Sequence, residues 1–266
     1  MVIGRYFPGN SPIHRLDPRG KLATGFYFIL LLMFTRYWLT YAIMGLFTLV
    51  IIALSGIPWR VFLKSVRPLL AIILFTSLLQ LFFSGSGTVF FRFGPIRITQ
   101  GGINQMLGVF LRFTLTIFMS VAVSMTTRPI EFTDALEYLF KPLRHLKVPV
   151  QDVALMITIA LRFIPTLVDE SQRIMKAQQS RGMEFGEGNI YKQMKSLIPV
   201  FLPLFVSSFY RAEEMANALD VRGYQGEKKR TRFRKRKWHV RDTVYVLSYV
   251  VLTAGILGIR WGWLFR

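Results

Sequence analysis

The amino-acid sequence predicts an all-α polytopic membrane protein with about five transmembrane helices, and three observations lead to this fold class. Of the 266 residues, 52% are hydrophobic, and the mean hydropathy of +0.40 is higher than an ordinary soluble domain requires. The apolar residues gather in runs that approach the length of a bilayer crossing. The formal net charge is +20, and a basic excess beside apolar runs is typical of the cytoplasmic parts of membrane proteins.

The N-terminal half contains four of the predicted spans. The first helix is expected to begin after Asp17, whose carboxylate can accept from free amides, with Pro18 at the first helical position. The predicted spans cover residues 22–35, 38–55, 69–83 and 105–125, and the fifth covers 243–259. Between them, 56–68 is interpreted as a basic loop that ends at Pro68, and 84–102 as a Gly-rich connection.

The distribution of basic residues predicts the orientation, because cytoplasmic loops carry the excess of Lys and Arg. The segments before the first span and between the second and third spans are richest in them: Arg5, Arg15, Arg19, Lys21, Arg60, Lys64 and Arg67. The other two loops carry Arg36, Arg92 and Arg97. The N-terminus is therefore predicted to be cytoplasmic. The predicted regions are 1–125 with four transmembrane helices, 126–242 in the cytoplasm and 243–266 with the last span.

Two further apolar stretches, 153–168 and 197–209, lie in this predicted cytoplasmic region. Each is shorter than a span and contains proline. We interpret them as the starts of two long helices along or beneath the membrane interface, and the alternative is that they are additional spans. The face predicted to pack between the two helices comprises Leu167, Val168, Ser171, Ile174, Met175 and Gln178, and Phe205, Phe209, Ala212, Met215, Ala216 and Leu219.

Small residues in these two stripes, Ser171, Ala212 and Ala216, are expected to let the helix backbones cross closely. The opposite faces are predicted to carry the charges Asp169, Glu170, Arg173 and Lys176, and Arg211, Glu213 and Glu214. The simplest interpretation is two helices packed on each other, which does not exclude a partner.

Both long helices end in the same pattern. Ala177 precedes Ser180-Arg181-Gly182, and Ala218 precedes Val221-Arg222-Gly223. A glycine at this position can adopt the left-handed conformation that caps a helix, and an arginine complements the helix dipole. That explanation suffices for a single occurrence. The repetition at two helix ends indicates a second role, because a guanidinium is a planar fork that suits carboxylates in a partner's groove.

These motifs resemble the transmembrane T component (EcfT) of energy-coupling-factor transporters, a class of ABC importers for vitamins and transition-metal ions. The resemblance is carried by "HRLDPRGKL", by "TTRPIEFTDALEYLFKPLRHLKVPVQDVALMITIALRFIPTLVDESQRIMKAQQSRG" and by "ANALDVRGY". It is most specific over residues 126–224. Ser180 and Val221 depart from the family's signature by replacing an alanine.

The resemblance implies a non-catalytic subunit in the bacterial cytoplasmic membrane that couples two cytoplasmic ABC ATPases to a substrate-binding S component. It implies that the chain binds no cofactor itself and that ATP and Mg²⁺ are bound by the ATPases. The residues that it assigns to ATPase binding are Ala177, Ser180, Arg181, Gly182, Ala218, Val221, Arg222 and Gly223. Those that it assigns to a sliding surface for the S component, on long crossed coupling helices, are Leu155, Ile159, Phe163, Phe201 and Phe205.

The remaining motifs point to no catalytic, metal or nucleic-acid site. Cysteine is absent, the three histidines (His14, His145 and His239) lack ligand spacing, and no GxxxxGK[ST] phosphate loop occurs. The basic run 228–241 directly precedes the last span, so membrane lipid explains it better than nucleic acid.

Several alternatives stay open at this point. The chain could be a dedicated cobalt- or nickel-type T component, or a carrier that works without ATPases. An integral-membrane enzyme would use Arg112, Arg162 or Glu170 at an interfacial site. Arg112 lies within the fourth predicted span, where a charge is either functional or paired with a neighbouring helix.

Overall fold

A computed structural model describes residues 6–35, 37–83, 88–93, 96–142, 149–183, 185–186, 188–224, 226 and 238–264. Within these residues the chain forms eight helices and one β-hairpin. The elements are α1 (Pro18–Met33), α2 (Trp38–Ser55), α3 (Trp59–Phe83), β1 (Val89–Phe93), β2 (Ile96–Thr99), α4 (Gln100–Met125), α5 (Pro129–Leu139), α6 (Val150–Ser180), α7 (Ile190–Val221) and α8 (Val240–Leu264). They divide into two compact units, one of Met1–Leu139 with Arg234–Arg266 and one of Phe140–Phe233.

The first unit is a helix bundle with its apolar side chains on both the inside and the outside. Phe28 of α1, Met44 of α2 and Tyr249 of α8 are almost completely buried in one cluster. On the outer faces, Leu46 and Val251 are each 65% exposed. Apolar surface of this kind suits contact with lipid rather than water. The predicted all-α polytopic membrane fold is thereby confirmed.

Five helices among the described residues are long and apolar enough to cross a membrane: α2, α3, α4, α6 and α8. The number agrees with the prediction, but the set differs. The first predicted span corresponds to α1, which has only 16 residues. Helix α6 is long and apolar enough to cross a membrane, although we predicted that it lies along the membrane interface. Its placement along the interface therefore stays a prediction.

Helix α1 begins as predicted. Asp17 is the N-cap residue, its carboxylate accepts a hydrogen bond from the Arg19 amide, and Pro18 occupies the first turn. The predicted basic loop 56–68 is wrong, because α3 begins at Trp59 and continues through Pro68. A proline inside a helix removes one hydrogen bond. Phe62 and Val66, before the proline, are both 0% exposed, and Ile73, after it, is 6% exposed. This burial stabilises the helix on both sides of the proline.

The predicted Gly-rich connection contains a short antiparallel hairpin. Strands β1 and β2 pair Val89 with Thr99 and Arg92 with Arg97. Thr99 then caps α4 by accepting a hydrogen bond from the Gly102 amide at 3.1 Å. After α4, the short helix α5 packs on α1, where the Arg19 guanidinium lies 4.3 Å from the centre of the Tyr138 ring.

The second unit contains the two long helices. Helix α6 has 31 residues and α7 has 32, so the predicted extension of both apolar stretches into long helices is confirmed. Pro165 lies inside α6, and Pro199 and Pro203 lie inside α7. The two helices pack on each other.

Candidate functional site

Both Arg-Gly pairs form the same helix-terminating structure. At the end of α6, Gly182 has φ +84°, its amide donates to the Gln179 carbonyl at 3.0 Å, and the Met183 amide donates to the Gln178 carbonyl at 3.0 Å. This pair of bonds defines a Schellman motif. The predicted glycine cap at the first pair is confirmed.

The second pair repeats this geometry at the end of α7. Gly223 has φ +73°, its amide donates to the Asp220 carbonyl at 2.9 Å, and the Tyr224 amide donates to the Leu219 carbonyl at 3.0 Å. In both motifs the arginine is the C-cap residue. The shared sequence therefore encodes a shared backbone conformation.

All eight residues predicted to bind the ATPases are solvent-exposed: Ala177, Ser180, Arg181, Gly182, Ala218, Val221, Arg222 and Gly223. Val221 is 90% exposed, the highest value among the exposed large hydrophobic residues. An apolar side chain beside an exposed arginine has no packing role within the described structure. This arrangement is suited to contact with another protein.

Replacing Gly182 by valine is expected to weaken the first cap by about 1–2 kcal/mol, because a β-branched residue is strained at positive φ. No other atom lies within 4 Å of the position that a Cβ would take, so the cost would arise from the backbone alone. Faster hydrogen exchange at the amides of residues 182 and 183 is the measurement. Gly255→Val, at an open helical position in α8, is the control. Unchanged exchange in Gly182→Val would contradict the prediction.

Polar contacts show that α6 and α7 run antiparallel. Near the start of α6, Asp152 Oδ1 accepts a hydrogen bond from Tyr224 Oη at 2.7 Å, just beyond the end of α7. Further along, Glu170 Oε2 is 2.7 Å from Arg211 Nη2, and Glu170 Oε1 accepts from Ser207 Oγ at 2.5 Å. The two capped helix ends that carry Arg181 and Arg222 are called the arginine tips below. They consequently lie at opposite ends of the helix pair, on the order of 40 Å apart along α6.

The predicted packing face of α7 is correct at Met215 and Leu219, which are half-buried, and wrong at its other four residues. Phe205 and Phe209 are 65% and 68% exposed, and Ala212 and Ala216 are exposed as well, so they do not form the close crossing. The buried and half-buried side of α7 carries Val200, Leu204, Ser207, Ser208, Arg211, Met215 and Leu219. Glu170 and Arg211, predicted on the outer faces, form the ion pair between the helices. Because 197–209 is apolar nearly all round, its periodicity does not identify the packed side.

The residues predicted to contact the S component divide into two groups. Leu155, Ile159 and Phe163 of α6 are half-buried, whereas Phe201 and Phe205 of α7 are each 65% exposed. Three exposed apolar residues nearby are not in the predicted set: Met156 at 66%, Ile164 at 52% and Leu202 at 66%. Each directly follows a predicted residue, so a predicted surface shifted by one residue along the sequence would have included all three.

The N-terminal motif "HRLDPRGKL" is placed in the membrane unit, where it joins three helices. The Asp17 amide donates to Asp242 Oδ1 of α8 at 2.8 Å, and Lys21 Nζ donates to the Thr126 carbonyl after α4 at 3.0 Å. Lys21 is only 1% exposed. This part of the resemblance therefore corresponds to a structural junction.

Arg112 also connects helices of the bundle. Its Nη2 donates to the Thr35 carbonyl at 3.2 Å and to Tyr41 Oη at 3.1 Å. Of the two interpretations that the sequence left open, the geometry favours pairing with neighbouring helices.

Among the described residues, no group of three or more His, Cys, Asp or Glu side chains has the arrangement of a metal site. His14 contacts Ser11 Oγ and the Phe7 carbonyl at 2.7 and 2.9 Å. His145 and most of the basic run, residues 228–237, lie outside the described residues.

Comparison with known proteins decides the family. The family model described as cobalt transport protein (CbiQ) matches residues 9–233. Over 98% of both chains, the sequence is 50% identical to energy-coupling factor transporter transmembrane protein EcfT 1 of Listeria monocytogenes. The chain belongs to the CbiQ/EcfT family. The corresponding EcfT proteins of Lacticaseibacillus paracasei and Bacillus subtilis are 48% and 43% identical, again over 98% of each chain.

Membership in this family confirms the resemblance found in the sequence. The chain is the transmembrane component of an energy-coupling-factor transporter, a multi-pass protein of the cell membrane. Its candidate functional site is the α6–α7 pair with the two exposed Arg-Gly tips.

Proposed function

We propose that this chain couples two ABC ATPases to a substrate-binding S component during uptake of a vitamin or a transition-metal ion. The observation that carries the proposal is the repeated Schellman cap, which presents Arg181 and Arg222 to solvent at opposite ends of one helix pair. Two separated tips of one geometry suit two similar receiving grooves. Arginine at such a tip offers a bidentate fork to a carboxylate.

In this proposal the chain is not catalytic and binds no cofactor. ATP and Mg²⁺ are held by the ATPases, whose closure moves the arginine tips. The cargo is selected by the S component. The description of the matched family as a cobalt transport protein favours, as a second candidate, a T component dedicated to cobalt or nickel.

The exposed apolar side of α7 is proposed to contact the S component. Phe201, Phe205 and Phe209 follow one another at helical spacing, and each is at least 65% exposed. An aromatic stripe without a polar partner suits a surface on which another membrane protein slides.

Uptake into liposomes tests the proposed function. We expect ATP-driven uptake only when the chain, both ATPases and the S component are reconstituted together. Uptake with the chain alone would indicate a self-sufficient carrier. Conversion of a lipid or small molecule by the chain alone would indicate an enzyme.

Replacing Phe205 by aspartate is expected to weaken S-component binding about tenfold or more, because it places a charge in an apolar contact. ATPase co-purification should be unchanged. Glu213→Asp, at an exposed position of α7, is the control. Retention of the S component by Phe205→Asp would contradict the proposed surface.

A further inference from the structure

The contact between Tyr224 and Asp152 joins the second tip to the beginning of the other long helix. Tyr224 directly follows Arg222-Gly223, and its amide is already fixed to the Leu219 carbonyl by the cap. Its hydroxyl donates to Asp152 Oδ1 at 2.7 Å, and both side chains are half-buried. Asp152 lies in the first turn of α6.

A second contact holds the same two helices further along. Glu170 contacts Arg211 at 2.7 Å and Ser207 at 2.5 Å. Beside the packed side chains of the two helices, a single polar contact would fix their relative rotation at one point only. Two contacts that are separated on α6 by the distance from residue 152 to residue 170, about 27 Å at the rise of an α-helix, oppose that rotation.

The two arginine tips differ in whether the residue after the Arg-Gly pair is bonded to the other helix. The residue that follows the first Arg-Gly pair is Met183, whose side chain has no hydroxyl to donate. The residue that follows the second pair is Tyr224, and its hydroxyl is bonded to the other helix. The repeated cap therefore has a different attachment at each end of the helix pair.

We propose that Tyr224 and Asp152 are positioning residues that attach the second tip to the start of α6, so that a displacement of this tip moves α6 and α7 together. This inference rests on the proposed function for its role in transport. A hydrogen bond to a charged acceptor corresponds to a shift of about tenfold between the attached and detached arrangements. Without it, part of the motion would be lost in pivoting of α7.

Spin-label distances test the attachment in the full chain without any partner. The chain contains no cysteine, so Val153→Cys with Asn217→Cys provides two labelling sites, both exposed. We expect a narrow distance distribution in the parent protein and a broader one in Tyr224→Phe. Tyr210→Phe, an exposed tyrosine of α7, is the matched control and should leave the distribution narrow.

Substitutions of the acceptor identify the hydrogen bond itself. Asp152→Asn keeps an oxygen acceptor and is expected to stay close to the parent, whereas Asp152→Ala should broaden the distribution. The double variant Tyr224→Phe with Asp152→Ala should have a distance distribution no broader than that of either single variant, because both substitutions remove the same hydrogen bond. A narrow distribution in Tyr224→Phe would overturn the proposal.

In the complete transporter, Tyr224→Phe is expected to retain both ATPases and to lower uptake per ATP hydrolysed about twofold or more. Loss of the ATPases as severe as in Arg222→Glu would overturn the proposal, because it would assign Tyr224 to docking. Retention of the ATPases by Arg222→Glu would contradict the proposed function instead, and the spin-label distances would still decide the attachment.

Discussion

Reversing both tip charges, in a variant with Arg181→Glu and Arg222→Glu, is expected to abolish co-purification of the ATPase pair and ATP-driven uptake. Each guanidinium is exposed at a capped helix end, where it can reach carboxylates in a groove. Losing one partner of a buried charge pair weakens binding by about 100-fold or more. Reversal adds repulsion, and the two tips act on the same assembly.

The controls separate docking from folding and from net charge. Arg173→Glu with Lys195→Glu makes the same change in net charge at exposed positions on the same two helices and should retain the ATPases. The double tip variant should lose little thermal stability, because neither arginine side chain pairs with another side chain of the described residues and the reversal acts only on the two helix dipoles. Undiminished ATPase binding by the double tip variant would contradict the proposed docking.

Replacing Asp242 by alanine is expected to produce the largest loss of stability, about 3 kcal/mol. The carboxylate is 3% exposed. Its Oδ1 accepts from the Asp17 amide and its Oδ2 from the His239 amide, each at 2.8 Å. Alanine would leave the buried Asp17 amide without this acceptor and remove a tie between the starts of α1 and α8.

Thermal unfolding in detergent measures this effect. Asp242→Asn keeps one carbonyl oxygen and should fall between the parent and Asp242→Ala. Asp169→Ala, at an exposed position of α6, should leave the transition temperature unchanged. Equal transition temperatures for Asp242→Ala and Asp169→Ala would show that the junction contributes little.

Local signals in the sequence were sufficient for three helix termini: the start of α1 and the ends of α6 and α7. Asp17 and Pro18 predicted the start of α1, because capping depends on residues within one turn. Gly182 and Gly223 predicted both ends of the long helices for the same reason. The apolar runs predicted the fold class, because a long apolar segment must be placed in lipid or in a protein core whatever its tertiary contacts are.

Contacts between distant residues could not be predicted in this way. The start of α3 was missed because the stabilisation of its first turns arises from Phe62 and Val66 packing in the core. Most of the packed side of α7 was missed because apolar residues occur on all sides of the helix over residues 197–209. The partners of Arg211 and Tyr224 lie 41 and 72 positions away in the chain.

The sequence by itself determined that this is a helical membrane protein and that two long helices end in matching Arg-Gly caps, because these properties depend on composition and on neighbouring residues. Only the tertiary structure decided which sides of α6 and α7 meet, that their tips point to opposite ends, and that Tyr224 reaches back to Asp152. Those outcomes depend on which distant groups satisfy one another's hydrogen bonds and charges when the helices pack.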